Sequence, residues 1–456
     1  MDAAARLTPP DASLRALLRL AWPLFIANLA VVGNGTIDAV MAGRLSPEDM
    51  AGVAVASSIY ITVYIGFMAV LQALSPIAGH HYGAQRWRAI GDDLQQALWL
   101  AGLLLFFALP CVLATGFWTR VAGVEGRVAE IASTYLLAVA FGLPAGLATR
   151  VFVALNAAVS RPKVTMVVNV TVLALKAPLN AVFMYGWGPI EAMGGAGAGV
   201  ATALLAWLAL ALSLAIWRYD RYYERFRSAS IHGPRWTSQR ELLKLGLPIG
   251  LSTLFEVTSF TFMAVLIARL GATSVAGHQI VANLAAILFM VPLSLGIATS
   301  VLVAQALGSS APGVAQAAAR RGLRLALGIA LIMALIFWLL RGPVVRLYTS
   351  DPGVEAMALS LIGFAVLFHV FDAVQGMSTF ILRGYRQTFW PMVIYGVALW
   401  CFGLGGGAWI AFSTTPVGAP RGALGFWEAA TVALAIAAGA LAWLASNEAK
   451  RRVAER

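Results

Sequence analysis

Charge is scarce in this sequence. Only 11% of the 456 residues are Asp, Glu, Lys or Arg, whereas 60% are hydrophobic. Soluble domains usually carry about 25% charged residues. The composition therefore excludes an ordinary soluble domain and indicates an integral membrane protein.

The sequence also lacks the signatures of several enzyme classes and of a disulfide-stabilised fold. It contains no G-x-x-x-x-G-K-[ST], H-E-x-x-H or G-x-S-x-G motif, so ATP hydrolysis, zinc proteolysis and serine hydrolysis have no support. The two cysteines, Cys111 and Cys401, lie inside apolar runs, where we expect them to be small packing residues. We therefore expect a chain that is not an enzyme and that carries no cofactor.

Long apolar runs dominate what is present. A run of about 20 apolar residues can cross a hydrocarbon core of about 30 Å as a helix, and a helix satisfies its own backbone hydrogen bonds there. The runs show no two-residue alternation, which favours helices over strands. We predict an all-α integral membrane protein with about twelve transmembrane helices, near residues 15–40, 51–78, 93–118, 128–153, 163–186, 196–217, 241–268, 276–305, 316–340, 354–382, 390–413 and 424–446.

Basic residues are distributed unevenly between the predicted loops. The net charge is +12, and the surplus lies in the N-terminal segment, the C-terminal tail and alternate loops, including the one after the tenth span with Arg383 and Arg386. Basic loops stay in the cytoplasm. We therefore expect both termini to be cytoplasmic, and we expect the surplus to contact anionic membrane lipid rather than nucleic acid.

The two halves of the chain resemble each other. The segment LLRLAWP at 17–23 matches LLKLGLP at 242–248, and AVMAGRL at 39–45 matches AVLIARL at 264–270 at the same spacing. Parallel repeats of this kind are a known transporter architecture, with substrate sites near the membrane midplane. The sequence therefore predicts three parts: an N-terminal six-helix lobe (1–217), a cytoplasmic connector (218–240) and a C-terminal six-helix lobe (241–456).

Polar side chains interrupt two apolar spans of the first half. Asn34 and Asp38 are four residues apart and share a helix face, and Lys176 precedes Asn180 by one turn. An ionised side chain at the bilayer centre costs roughly 2.5–3.5 kcal/mol on an insertion scale. Lys176 therefore needs a partner, for which Asp38 is a candidate. The alternatives are that Lys176 snorkels to an interface and that Asp38 is solvated near the outer end of its span.

Acidic residues also lie inside spans of the second half. Glu256 stands near the middle of the seventh span, and Asp372 lies in the tenth. Such residues face protein or water and mark functional sites by default, with a structural salt bridge inside the bundle as the alternative. His278, near the outer end of the eighth span, is expected at the interface. Supporting polar residues in this half are Ser252, Ser259, Gln279, Asn283, His369, Gln375 and Thr379.

Several of these segments together resemble one family. The strings GTIDAVMAGRLSPEDMAGVAVASSIY, KAPLNAVFMYGWG, LPIGLSTLFEVTSF, AGHQIVANLAAILFMVPLSLGIATSVLVAQALG and FDAVQGMSTFILRGYRQT occur in this order along the chain. They look like the MATE (multidrug and toxic compound extrusion) transporters, in particular the NorM-type bacterial branch. The resemblance covers nearly the whole chain.

This resemblance implies a fold and an activity. The fold would be two pseudo-symmetric six-helix lobes with a central cleft, in the bacterial inner membrane. The activity would be secondary active export of small cationic or amphipathic drugs by alternating access, in exchange for Na⁺ or H⁺. We expect the chain to act as a monomer.

The resemblance also implies roles for individual residues. Glu256 and Asp372 would serve cation coupling in the second lobe, including Na⁺ binding, while Asp38, supported by Asn180, would serve the first lobe. Two positions depart from the pattern: Lys176 stands where the family often has an amide, and Phe368 stands where related chains can carry Tyr. An ammonium group at 176 would occupy or repel a metal-ion site beside Asp38.

Two other functions remain open at this stage. A lipid-linked precursor flippase of a related superfamily would need more basic residues in its cleft, to hold pyrophosphate, and additional helices. A membrane-embedded enzyme such as a prenyl transferase would need paired Asp-rich metal motifs on loops, which the sequence does not contain.

Overall fold

The computed structural model describes residues 10–227, 230–414 and 419–455. In these residues the regular structure is helical, apart from an isolated bridge between Trp187 and Ile190. Twelve helices are long and apolar enough to cross a membrane, which confirms the predicted number of spans. They are α1 (Leu14–Gly43), α2 (Pro47–Gly83), α3 (Trp87–Leu113), α4 (Gly126–Ala158), α5 (Pro162–Tyr185), α6 (Ala196–Tyr219), α7 (Trp236–Ala268), α8 (Ala272–Gly308), α9 (Pro312–Arg346), α10 (Pro352–Gly384), α11 (Phe389–Phe412) and α12 (Ala423–Ala454).

Capping residues mark the beginnings of two of these helices. The Ser46 hydroxyl accepts a hydrogen bond from the Asp49 backbone N–H at the start of α2, and the Asp351 carboxylate accepts one from Val354 N–H at the start of α10. A proline follows each cap, where its missing N–H would have had no partner in the helix. The local sequence thus accounts for both helix starts.

The helix boundaries repeat along the chain. Helix α2 and helix α8 begin 225 residues apart and end 225 residues apart, which is the offset of the repeated sequence motifs. Non-glycine residues with positive φ, which are uncommon, also recur: Gln85 (φ 56°) pairs with Ser310 (φ 59°), and Ser160 (φ 59°) pairs with Arg386 (φ 60°). The same turns therefore close corresponding helices in both halves.

The chain divides into two compact units. Among the described residues, the first unit comprises 22–250, and the second combines 10–21 with those from 251 onward. The lobe boundaries expected from the sequence stay a prediction; in the structure, residues 241–250 pack with the first unit. A Cβ atom at Gly246 would lie 2.4 Å from the carbonyl oxygen of Val70, so glycine is what permits this close approach.

The connector is held against the first unit by charge and aromatic contacts. A short 3₁₀ helix, Arg221–Phe226, follows α6. Arg161 forms an ion pair with Asp220 and lies over the rings of Tyr222 and Tyr223, at 4.5 and 5.5 Å from their centroids. Partial burial raises the pKa of Asp220, but the Tyr222 backbone N–H and the Arg161 guanidinium outweigh it and hold the pKa below its usual range.

Small residues allow helices of the first unit to pack closely around α6. A Cβ atom at Gly142 of α4 would lie 2.7 Å from the Cα of Ala203, and one at Gly197 would lie 2.5 Å from the backbone of Phe183 in α5. Small residues at such contacts let membrane helices approach each other. They bring the first turns of α6 next to the polar residues of α5.

Helix α10 is the central helix of the second unit. It packs against α8, α9 and α12, and glycines again permit the approach: a Cβ atom at Gly296 of α8 would lie 2.5 Å from the Phe380 ring. Helix α11 contains a π-helical segment, Gly396–Gly405, that contacts α12. Such irregular turns occur frequently at functional sites.

Candidate functional site

The first unit contains a buried ion pair between α1 and α5. The Nζ atom of Lys176 lies 2.8 Å from Oδ1 of Asp38, and the two side chains are only 2% and 8% exposed. The Nδ2 group of Asn180 donates a hydrogen bond to the same oxygen at 2.7 Å. The pairing considered from the sequence is therefore present. Asp38 is not a solvated end residue, and Lys176 does not snorkel to an interface.

Two oxygens of α6 complete the surroundings of the ammonium group. Lys176 Nζ donates to Oγ1 of Thr202 at 2.6 Å and lies 3.5 Å from the carbonyl oxygen of Ala198. The Thr202 hydroxyl in turn donates to the Ala198 carbonyl at 2.7 Å. Thr202 carries no signal in the sequence beyond its position after the glycine-rich stretch that lets α6 approach α5.

Amide oxygens near this pair have further capacity to accept hydrogen bonds. Oδ1 of Asn34 and Oδ1 of Asn180 are both buried, and neither accepts a hydrogen bond from the residues that the structure describes. Asn34 lies one turn before Asp38 on α1, and Asn180 contacts Asp38 directly. The surroundings of this ion pair thus contain more buried acceptor oxygens than the Lys176 ammonium uses.

The second unit brings together the two acids predicted from the sequence. Glu256 lies on α7 and Asp372 on α10, where Asp372 is 8% exposed. Their charges are close enough to interact with each other, and Glu256 also interacts with the Arg383 guanidinium. The phenol of Tyr395, on α11, lies within the influence of all three charges. These four residues form what we call the carboxylate cluster.

Two members of this cluster were missed by sequence reasoning. Arg383 was expected in the loop after a span ending at 382, but α10 continues to Gly384, and the guanidinium lies 4.5 Å from the centroid of the Phe380 ring. Arg383 follows Asp372 by eleven residues, which is about three helical turns, so the two side chains share one helix face. This spacing is the sequence signal that could have identified Arg383. Tyr395, which accepts a hydrogen bond from Thr379 at 3.4 Å, gave no such signal.

Other polar residues of α7 and α10 lie close to these acids in the sequence. The Ser259 hydroxyl donates to the Glu256 carbonyl at 2.8 Å, so it is engaged with its own helix. Oε1 of Gln375 and both ring nitrogens of His369 are buried and have no hydrogen-bond partner within the described part of the chain. Ser259 also lines a small, mostly apolar pocket with Phe260, Met263, Phe368, Leu399, Gly403, Leu404 and Ala430.

The polar residues of α8 are placed differently from the two acids. Gln279 and Asn283 lie on the exposed side of the helix, and Asn283 accepts a hydrogen bond from the Tyr348 hydroxyl at 2.9 Å. His278, expected at the membrane interface, has its side chain buried inside the protein. It is 1% exposed and accepts a hydrogen bond from the Trp427 indole at 3.3 Å, because Gly277 lets α8 pack tightly against α10 at this end.

The chemistry of the carboxylate cluster suits a hard monovalent ion. No group of three or more His, Cys, Asp or Glu side chains able to hold a metal ion occurs in the described residues. Two carboxylates and a phenol offer oxygen donors, which sodium prefers over nitrogen and sulfur donors. A proton needs only one carboxylate in a poorly hydrated place. Sodium ions and protons are therefore both compatible with these residues.

The described residues form twelve membrane-spanning helices, the sequence is duplicated, and acids are buried in both halves. Together these features define the class of secondary transporters. The MatE family model matches residues 23–182 and 248–408, once in each half, and the two matches begin 225 residues apart, as the repeated motifs do. The chain belongs to this family, the MATE transporters.

Named relatives match the chain over nearly its whole length. A protein of Aromatoleum aromaticum called "Probable multidrug resistance protein NorM" is 40% identical over 96% of this chain and 96% of its own. One with the same name from Chromobacterium violaceum is 35% identical over 97% of this chain and 95% of its own. A crystal structure of the eukaryotic MATE transporter AtDTX14 superposes with a TM-score of 0.87 at 19% identity, covering 96% of this chain and 97% of that one. The fold is therefore that of MATE transporters.

Proposed function

We propose that this protein is a secondary active multidrug exporter that exchanges small cationic or amphipathic drugs for Na⁺ or H⁺. The observation that carries the proposal is the carboxylate cluster, in which Glu256 and Asp372 are held inside membrane-spanning helices near each other. Acids in such positions mark ion and substrate pathways. The names of the full-length relatives support drugs as the substrate class.

Coupling follows from competition for the same negative charge. Glu256 and Asp372 attract a drug cation, a sodium ion or a proton, and the single positive charge of Arg383 balances only part of their combined charge. When a coupling ion binds, the attraction for the drug falls, and the drug is released. Alternating access then requires the loaded and unloaded acids to face opposite sides of the membrane in turn.

The driving force available to such an exchange is sufficient. One elementary charge crossing 100 mV contributes about 2.3 kcal/mol. A gradient of one pH unit contributes about 1.4 kcal/mol. Either term corresponds to at least a tenfold concentration ratio of the exported drug.

The same proposal includes a location and an orientation. Twelve apolar helices in the described residues define a multi-pass membrane protein, for which we propose the bacterial inner membrane. The distribution of Arg and Lys supports both termini in the cytoplasm. Anionic lipid headgroups neutralise the basic loops on that side. We propose a monomer as the working form.

The test is dye efflux from proteoliposomes that contain the purified chain. Glu256→Gln and Asp372→Asn remove one charge each with little change in volume, and we expect each to reduce efflux to the rate of protein-free liposomes. Glu48→Gln is the matched control, because Glu48 is exposed in the first turn of α2. Wild-type efflux rates in both cluster variants would refute the proposal.

The same proteoliposomes can be used to identify the coupling ion. Efflux is measured with an imposed Na⁺ gradient at equal pH on both sides, and then with a pH gradient in choline buffer. A rate that responds to only one gradient identifies the ion. A rate that responds to neither would exclude antiport.

A further inference from the structure

The ammonium group of Lys176 occupies a position that resembles a site for a metal ion. Three oxygens of different chemical types surround it: the carboxylate of Asp38 at 2.8 Å, the hydroxyl of Thr202 at 2.6 Å and the carbonyl of Ala198 at 3.5 Å. They come from α1 and α6, while the lysine comes from α5. Hard monovalent cations take such oxygen sets.

Neighbouring acceptors enlarge the set beyond what the lysine requires. Asn180 is fully buried and donates its Nδ2 group to Asp38, but its own Oδ1 accepts no hydrogen bond from the described residues. Oδ1 of Asn34, one turn before Asp38 on α1, is also buried and accepts no hydrogen bond from the described residues. Burying acceptor oxygens without donors is unfavourable unless a cation or a donor uses them. The excess of buried acceptor oxygens around Asp38 therefore suits the binding of a cation.

We propose that Lys176 is the resident cation of the first unit, occupying with its own ammonium group the oxygen site that a free monovalent ion would otherwise take. Asp38 then exchanges no coupling ion, and the carboxylate cluster of Glu256 and Asp372 performs all the ion exchange. This inference rests on the proposed function for the identity of the ions, but it concerns a different unit and has a separate test.

The physical basis is that the ammonium is tethered. Because its stem belongs to the chain, the ammonium cannot diffuse away, so its effective concentration at Asp38 is high at every stage. A sodium ion entering the same oxygens would lie a few ångströms from a like charge with little water between them. The charge of Asp38 is therefore neutralised without any ion from solution.

The test measures binding of ²²Na⁺ to the purified full-length chain in lipid nanodiscs, at constant ionic strength in choline chloride. In the Glu256→Gln/Asp372→Asn background, with Lys176 present, we expect no Na⁺ binding above that of empty nanodiscs. Adding Lys176→Ala should create a saturable Na⁺ site. Adding Asp38→Asn as well should abolish that site.

Two further variants separate the proposal from misfolding and from nonspecific charge effects. Lys176→Gln keeps most of the side-chain volume and should also gain Na⁺ binding, whereas Lys244→Ala, at an exposed lysine of α7, should not. Saturable Na⁺ binding in the background with Lys176 intact, lost on Asp38→Asn, would overturn the proposal. The proposal would also be overturned if Lys176→Ala and Lys176→Gln both elute as monodisperse protein and neither gains a Na⁺ site. Neither outcome depends on drug efflux, so the result is independent of the proteoliposome test.

Discussion

The buried pair of Lys176 and Asp38 makes a quantitative prediction about stability. Their charged atoms are 2.8 Å apart, which at an effective dielectric constant of about 20 corresponds to an attraction of about 6 kcal/mol. Desolvation of both groups offsets most of this gain, but removal of one partner leaves the other charge buried alone. We therefore expect Lys176→Met to lower the free energy of unfolding by about 3–5 kcal/mol.

The double variant shows whether charge is the cause. In Lys176→Met/Asp38→Asn neither charge of this pair remains, and the amide introduced at position 38 still offers an oxygen to the Nδ2 group of Asn180. The loss should then be far smaller than the sum of the two single losses, with an interaction energy of about 2–3 kcal/mol. Replacement of a buried ion pair by neutral groups is often nearly neutral.

The assay is unfolding in mixed dodecylmaltoside and SDS micelles, followed by tryptophan fluorescence, for the wild type, both single variants and the double variant. Lys244→Met is the matched control, because that lysine is exposed, and it should change the unfolding midpoint very little. If the two single losses add within error, or if Lys176→Met is as stable as the wild type, the reasoning about a paired buried charge is refuted.

Two further predictions concern packing and the connector. Gly142→Leu should destabilise the first unit or prevent folding, because even a Cβ atom there would lie 2.7 Å from the Cα of Ala203. Gly102→Ala is the control, since no atom lies within 4 Å of its new Cβ. This control should be neutral or should stabilise the fold by up to about 1 kcal/mol. Expression and thermal unfolding of the two variants check this, and equal behaviour would contradict it. The Tyr222 N–H and Arg161 hold the pKa of Asp220 in the folded protein below its usual value. These contacts therefore stabilise the folded protein at pH values above the unfolded pKa of about 3.9. The stabilisation is lost as the pH falls through the lower pKa of the folded protein. Between pH 5 and pH 2 the wild type should lose about 0.5–1 kcal/mol more than Arg161→Gln, measured as the difference in unfolding midpoints; parallel pH profiles would contradict it.

Most of the helical architecture follows from local sequence. In a hydrocarbon environment each backbone group needs a partner within its own segment, so a continuous apolar run is sufficient to specify a helix. Ser46 and Asp351, each followed by proline, account for two helix starts. The duplication is also a sequence property, since the 225-residue offset of the motifs reappears in the boundaries of α2 and α8.

The candidate site could be predicted only in part. Glu256, Asp372 and Lys176 stand out because a charge in an apolar run is rare. Their partners do not stand out in the same way: Arg383 was expected in a loop, and Tyr395 is an ordinary aromatic residue of a membrane helix. The burial of His278 against Trp427 depends on how closely α8 and α10 pack, which the apolar pattern does not specify.

The sequence by itself determined the class of protein, the number of helices and the positions where charge enters them, because hydropathy and charge act locally along the chain. Only the tertiary structure decided which charges neutralise each other. It pairs Lys176 with Asp38 and leaves Glu256 and Asp372 together. The sequence does not specify these contacts, because they join helices that are far apart in the chain. Glycine positions along the packed helices set how closely those helices approach.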